Sequence, residues 1–185
     1  MKKLDTKEIA KDTLDRTINF VNNCDTKASV ALGFIGILLT IIFTNETIGH
    51  ISVVVKSLLN SNLCWDKLLL VIVGLTILSI LIGIFYLILS IFPTVCCDKY
   101  LKKKITLESN SLLFFSTIAN NDFDTFKKRF DSVDQDTLFN DLLSQIYLNS
   151  CICEIKFKRY KKGLFFSVIG IFTFILLALA ACSQA

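Results

Sequence analysis

Proline and histidine each occur once in this 185-residue chain, glycine occurs seven times, and charged residues make up only 19% of the sequence. The scarcity of proline and glycine excludes a collagen-like chain or a proline-rich linker. Sixteen phenylalanines exclude an intrinsically disordered chain. A mean hydropathy of +0.60 and 53% hydrophobic side chains also depart from the composition of a typical water-soluble domain.

The usual signatures of catalytic and metal sites are missing as well. The sequence has no GxGxxG, Walker, GxSxG or HExxH motif, and its seven cysteines lack the spacing of a disulfide framework or a zinc site. The single histidine, His50, falls in a short segment between two apolar runs. We therefore expect no catalytic residue, no metal ligand and no cofactor, and a net charge of +4 is too small to predict nucleic-acid binding.

Three uncharged apolar runs are present, at residues 28–44, 68–93 and 164–182. Each has about the length that a helix needs to cross the hydrocarbon core of a bilayer, roughly 17 to 25 residues. The sequence therefore predicts a mainly α, polytopic membrane protein with three transmembrane helices and a small helical cytoplasmic region. The intervening segments are an amphipathic helix at 1–27, an external loop at 45–67 and the cytoplasmic helical region at 94–163.

The distribution of Lys and Arg predicts the orientation of these segments. Residues 1–27 hold six of the twenty basic residues, residues 45–67 hold two, and residues 94–163 hold twelve. Because basic flanks remain cytoplasmic, we expect the N-terminus and residues 94–163 inside and the C-terminus outside.

The segment between the second and third runs is patterned for helices. Asp122 is placed to cap a short helix, and Ser132 with Gln135 three residues later fits a capping box. No glycine or proline then occurs until Gly163, which predicts one long helix that continues into the third span. Alternating residues within 102–115 permit a short strand or hairpin.

Asp25 and Lys27 lie where the predicted first helix meets the first span. Two residues apart, they point to nearly opposite sides of a helix, because each residue turns it by about 100°. In one interpretation Asp25 caps the span and Lys27 extends to lipid headgroups. In the other, Asp25 bonds to a basic residue beneath the other spans, such as Lys99, Lys161 or Lys162, and locks their cytoplasmic ends. The capping interpretation is favoured.

Polar residues recur along the predicted long helix, at Asp141, Gln145, Asn149 and Lys156. A separate apolar stripe consists of Phe139, Leu143, Ile146, Cys153, Phe157 and Tyr160. The simpler interpretation is a solvated polar face and a buried apolar face. The alternative is a polar seam between subunits or around a ligand.

Small residues recur at helix-contact spacing in all three runs: Ser29, Gly33, Gly36 and Thr40, then Thr76, Ser79 and Gly83, then Gly163, Ser167 and Gly170. Small faces let helices approach closely in lipid. The pattern fits packing within one bundle and packing between subunits equally well.

Three short motifs carry a resemblance to a known family. They are Asp25-x-Lys27-Ala28-Ser29 at the first span, Phe114-Phe115-x-x-Ile118 in the cytoplasmic region, and Gln145-Ile146 with Asn149 and Lys156 before the last span. Over essentially its whole length the chain resembles the transmembrane effectors of Pycsar antiphage systems, the PycTM family.

The resemblance implies a multi-pass protein of the bacterial inner membrane that is encoded beside a pyrimidine nucleotide cyclase. Cyclic CMP or cyclic UMP would activate it, and it would then impair the membrane and kill or arrest the infected cell. Asp25, Lys27, Gln145 and Asn149 are the residues that the family motifs mark for a role in gating. We also expect a homo-oligomer, because a long helix presents the same face to each neighbouring copy.

A nucleotide phosphate requires cationic groups, and Arg129, Lys158 and Arg159 are the best-placed candidates. The simpler alternative for each of these residues is an exposed position at the protein surface or a contact with a lipid headgroup. A second hypothesis, from another functional class, is a non-catalytic membrane-anchored interaction or scaffold protein whose long helix docks a soluble partner.

Overall fold

A computed structural model describes residues 6–42, 44–60, 63–93 and 111–182. These residues form helices and no strand. The helices are α1 Thr6–Ile42, α2 Asn45–Asn60, α3 Cys64–Ile91, α4 Phe115–Ala119, α5 Phe123–Ser132 and α6 Gln135–Cys182. Three of them, α1, α3 and α6, are long and apolar enough to cross a membrane. The predicted fold class, a mainly α protein with three transmembrane helices, is confirmed.

The first helix is longer than the sequence analysis expected. It passes from the polar leader into the apolar run without a break, because no glycine or proline interrupts the chain between Thr6 and Gly33. Its buried residues are Ala10, Thr17, Cys24, Ala28 and Ile35. Their spacing of four and seven is the repeat with which long helices pack side by side.

The segment at 45–67, expected to be an external loop, contains the helix α2, which contacts α3. Most of the strand or hairpin considered for 102–115 lies outside the described residues. The described part, Ser111 to Phe115, contains no strand and leads into α4.

The chain divides into two compact units. The span unit comprises Cys24–Phe92 and Lys156–Ala185, and the extramembrane unit comprises Met1–Asn23 and Pro93–Ile155. Both α1 and α6 contribute residues to each unit.

Within the span unit, α3 and α6 approach each other at glycines. A Cβ added at Gly163 would lie 2.8 Å from Leu87 Cγ and 2.9 Å from the backbone oxygen of Gly83. At Gly170 a Cβ would lie 2.5 Å from Ile80 Cγ1. The small residues of the second and third runs are therefore used inside one chain, since any side chain would separate the two helices.

The small residues of the first run are arranged differently. A Cβ added at Gly33 or Gly36 would meet no atom within 4 Å, and Ser29 and Thr40 are exposed. This side of α1 therefore faces outward from the span unit.

Aspartates begin the two helices that follow α4 in the extramembrane unit. Asp122 Oδ1 accepts the backbone N–H of Thr125 at 2.9 Å, so the predicted cap of α5 is confirmed. The capping box expected at Ser132 is wrong, because that residue ends α5 and Val133 turns to an extended conformation. The cap of α6 is Asp134, whose Oδ1 accepts the N–H groups of Asp136 and Thr137 at 2.9 and 2.7 Å.

Candidate functional site

An ion pair between a buried lysine and a partly exposed aspartate joins two helices of the span unit. Lys156 Nζ on α6 lies 2.6 Å from Asp25 Oδ1 on α1, and the two side chains are 5% and 34% exposed. The same ammonium is 3.5 Å from the backbone oxygen of Ile91, the last residue of α3. One charged group thus contacts α1, α3 and α6, and we call this arrangement the Asp25–Lys156 junction.

Neighbouring contacts extend the junction around the end of α3. The last carbonyls of a helix have no intrahelical donor and carry partial negative charge. Arg159 Nη1 donates to the Leu89 oxygen at 3.0 Å, so cations from α6 reach two of these carbonyls. Ser90 Oγ donates to the Lys156 oxygen at 3.1 Å and lies 3.6 Å from Cys24 Sγ. The end of α3 is therefore held by polar contacts to both other spans.

The capping interpretation of Asp25 is wrong, because α1 continues through that position as a regular helix. Asp25 instead bonds to a basic residue of the last span, as the alternative interpretation proposed, and the partner is Lys156 rather than Lys161 or Lys162. Lys99, the third partner considered, lies outside the described residues. Lys27 is exposed, on a different side of α1 from Asp25.

The solvated polar face predicted for the long helix is also wrong. Asp141 and Gln145 on α6 are buried, whereas Leu143 of the apolar stripe is exposed. Gln145 Nε2 donates to Ser111 Oγ at 3.0 Å, and Asn149 Nδ2 donates to the Gln145 oxygen at 2.9 Å. The polar residues form a seam, and their partners come from the same chain.

This seam holds the segment that leads into the paired aromatic residues. Ser111 Oγ accepts the backbone N–H of Phe114 at 2.9 Å, and Asp141 Oδ2 accepts that of Leu112 at 2.7 Å. Because Gln145 bonds to the same Ser111 hydroxyl, two residues of α6 fix the backbone just before α4. The family motifs at Phe114-Phe115 and Gln145 are thus parts of one structural element.

A cavity of about 180 Å³ lies beside the seam, within the extramembrane unit. Its walls come from the segment before α4 and from α5 and α6, and include Leu112, Arg129, Val133, Thr137, Leu138 and Asp141. We call it the Asp141 cavity. Within the part of the chain that the structure describes, the buried Asp141 Oδ1 has no hydrogen-bond partner.

The structure separates the three candidate phosphate ligands. Arg129 lines the Asp141 cavity in the extramembrane unit. Lys158 is exposed on α6 in the span unit, where Arg159 reaches the end of α3.

Three helices able to span a membrane, tied together by a buried ion pair at the end of α3, define a small helical membrane protein. The profile of the PycTM family, described as the Pycsar effector protein domain, matches residues 9–183. The chain is also 35% identical over 179 residues to the Pycsar effector protein GmPycTM of Gulbenkiania mobilis, covering 92% of this chain and 90% of that protein. No solved structure matches.

The chain therefore belongs to the PycTM family of Pycsar effectors, and it is a membrane effector of antiphage defence. The resemblance identified from the sequence motifs is confirmed.

Proposed function

We propose that a cyclic pyrimidine nucleotide, cyclic CMP or cyclic UMP, activates this effector to impair the integrity of the bacterial inner membrane and cause abortive infection. Its functional partner is a pyrimidine nucleotide cyclase that makes the nucleotide during infection. Membership of the PycTM family supports the signal and the partner. The Asp25–Lys156 junction carries the proposal for this chain, because one ion pair ties the three spans at the same place.

The energy of the Asp25–Lys156 junction can be compared with the energy that opening the spans requires. Separating Lys156 from Asp25 leaves a buried ammonium without its counter-charge, which costs about 3–5 kcal/mol. Shifting a population from 1:99 to 99:1 requires about 5.5 kcal/mol of differential ligand affinity. The pair therefore favours the closed arrangement of the spans, and bound nucleotides would supply the energy that opens it.

Several subunits would share this energy. We propose that the effector is a homo-oligomer, in which each copy binds nucleotide and adds its differential affinity to a common opening step. The outward side of α1 at Gly33 and Gly36 supports this, because small residues on an open helix face permit close contact with another helix in lipid.

The remaining site residues keep their proposed roles. Arg129, Lys158 and Arg159 are candidates for the phosphate, and Arg129 lines the Asp141 cavity. Gln145 and Asn149 lie on α6 in the polar seam, so they would transmit nucleotide binding at the cavity to the rest of this helix. None of these roles is catalytic, and we propose that the effector is not an enzyme.

The test is release of a self-quenching dye from liposomes that contain the full-length protein. Cyclic CMP and cyclic UMP are titrated separately, with cyclic AMP and cyclic GMP as controls. We expect at least one pyrimidine nucleotide to release dye with a steep, cooperative dose response, and the purine nucleotides to have no effect.

Release that is the same with and without either pyrimidine nucleotide would contradict ligand gating. If no nucleotide releases dye and the protein still protects cells from phage, the membrane-anchored scaffold hypothesis replaces the proposal.

A further inference from the structure

Asp141, which lines the Asp141 cavity, has a buried acceptor atom that no other described residue uses. Asp141 is only 2% exposed, and its two carboxylate oxygens differ in their contacts. Oδ2 accepts the Leu112 N–H at 2.7 Å, whereas Oδ1 is buried and has no hydrogen-bond partner among the described residues. Buried polar atoms are nearly always hydrogen-bonded, so an orphaned carboxylate oxygen indicates a missing donor.

The size and the walls of the cavity restrict what can supply this donor. A volume of about 180 Å³ suits a single six-membered ring, since a cavity of about 150 Å³ in another protein accommodates benzene. Leu112, Val133 and Leu138 provide apolar surface for the faces of such a ring. Arg129 lines the same cavity and offers a guanidinium to an anionic group attached to the ring.

From this geometry we infer that the Asp141 cavity is the base-reading part of the nucleotide site, and that it selects cytosine over uracil. The inference rests on the proposed function, because it takes a cyclic pyrimidine nucleotide as the ligand. Asp141 Oδ1 accepts the exocyclic N–H of cytosine, and Arg129 pairs with the phosphate.

The preference for cytosine follows from the donor pattern of the two bases. Cytosine presents an exocyclic amino group, which is a donor, where uracil presents a carbonyl oxygen, which is an acceptor. A carboxylate opposite that oxygen would be repelled. The ring N–H of uracil is flanked by two carbonyl oxygens. If this N–H faced Asp141, the carboxylate would repel these two oxygens in the same way.

The substitution Asp141→Asn reverses this chemistry at one atom. The amide oxygen of Asn can still accept the Leu112 N–H, so the backbone contact is kept. The amide nitrogen then replaces the free carboxylate oxygen and turns an acceptor into a donor. Such a donor matches the carbonyl oxygen of uracil and leaves the cytosine amino group without an acceptor.

The experiment measures binding of cyclic CMP and cyclic UMP to the full-length protein in detergent by titration calorimetry. We expect the native protein to bind cyclic CMP about tenfold or more tightly than cyclic UMP, since a buried group left unpaired costs about that factor. Asp141→Asn should abolish or invert this ratio. Arg129→Gln should weaken both nucleotides alike, and Lys127→Gln, an exposed change on the same helix, should weaken neither.

The possible failures are distinguishable. A native protein that binds cyclic UMP as tightly as cyclic CMP, or a ratio unchanged in Asp141→Asn, overturns the base-reading role and leaves the proposed function in place. A native protein that binds neither nucleotide overturns the proposed function and this inference with it. Thermal unfolding of Asp141→Asn confirms that a changed ratio comes from a folded protein.

Discussion

Lys156 carries a charge that the protein has to compensate internally, because its side chain is only 5% exposed. Asp25 supplies the opposite charge, and the Ile91 carbonyl supplies a further acceptor. Removing either partner of a buried pair costs far more than the intact pair contributes, because the remaining charge is left uncompensated. The junction is therefore sensitive to small chemical changes at these two residues.

Asp25→Asn is expected to open the effector without its ligand. The change keeps the shape of the side chain and removes the charge that holds Lys156, so the closed arrangement of the spans loses about 3–5 kcal/mol. We expect membrane depolarisation in cells that lack the cyclase, measured with a potential-sensitive dye at matched protein levels in the membrane fraction.

Asp15→Asn is the matched control, since Asp15 is an exposed aspartate on the same helix. The exchange Asp25→Lys with Lys156→Asp restores opposite charges and should recover part of the ligand dependence. An Asp25→Asn protein that inserts normally, protects cells from phage and depolarises membranes only with nucleotide would show that the pair does not hold the gate.

Sequence alone identified Asp25 as a residue in need of a partner, but it did not identify the partner. The two residues are 131 positions apart, and no local sequence pattern indicates a contact over such a distance along the chain. Lys156 had been recognised as part of a polar series on α6 and of a family motif, but not as the partner of Asp25. The burial of Asp141 and Gln145 was missed for a related reason, since periodicity predicts which residues share a face and not what covers that face.

At the scale of the helix, α3 and α6 depend on glycines for their close approach. Gly163 has both the Leu87 side chain and the Gly83 backbone within 3 Å of where a Cβ would be. Backbone atoms cannot rotate away as a side chain can, so an added methyl group has to push the helices apart.

Gly163→Ala should therefore destabilise the span unit by about 1–3 kcal/mol, the usual cost of overpacking. The measurement is thermal unfolding of the purified protein in detergent. Gly74→Ala on α3 is the control, since a Cβ there meets no described atom within 4 Å, and alanine is the better helix former by about 1 kcal/mol. Equal unfolding temperatures for the two variants would contradict the packing that the structure describes.

The start of α6 should depend on pH through Asp134. Hydrogen bonds from the Thr137 backbone N–H, the largest cause, and from the Thr137 hydroxyl lower the pKa of this carboxyl below its ordinary value of 3.8. A lowered pKa in the folded protein means that the carboxylate stabilises the helix start above about pH 4. This contribution is lost as the pH falls through the lowered pKa.

Asp134→Ala should accordingly lower the unfolding temperature at pH 7 and have less effect at an acid pH below the lowered pKa, where the native carboxyl is protonated. Asn caps helices about as well as Asp and does not titrate, so Asp134→Asn should remain close to the native protein at pH 7. A loss in Asp134→Ala that is equal at both pH values would exclude the carboxylate as the cause.

The helical elements were largely predictable, because long uncharged runs and the absence of proline and glycine are strong local signals. The sequence did not reveal α2, whose segment was treated as a connection between spans. The cap of α6 is Asp134 rather than Ser132, because Ser132 ends α5 and Asp134 accepts the N–H groups of the first turn of α6.

For the whole molecule, the unequal distribution of basic residues predicts the direction in which the chain crosses the membrane. Twelve of the twenty Lys and Arg residues fall within 94–163, and none follows residue 162. Segments that are rich in Lys and Arg remain on the cytoplasmic side. This orientation would place the Asp141 cavity where a nucleotide made in the cytoplasm can reach it.

Fusion reporters measure this orientation directly. A reporter active only in the periplasm should give signal after Ala185, and one active only in the cytoplasm should give signal when inserted near residue 110. Exchanging the two reporters between the sites is the control and should abolish both signals. The opposite pattern would place the C-terminus inside and reject the topology.

The ion pair between Asp25 and Lys156 also sets an order for the biosynthesis of the protein. Asp25 leaves the ribosome 131 residues before its partner, a delay of roughly 10 s at usual rates of translation. During that time α1 and α3 enter the bilayer while the carboxylate still lacks its counter-ion. The ion pair can form only once Lys156 has been made, so a chain that ends before this residue carries two spans without the charge pair that joins α1 to α6.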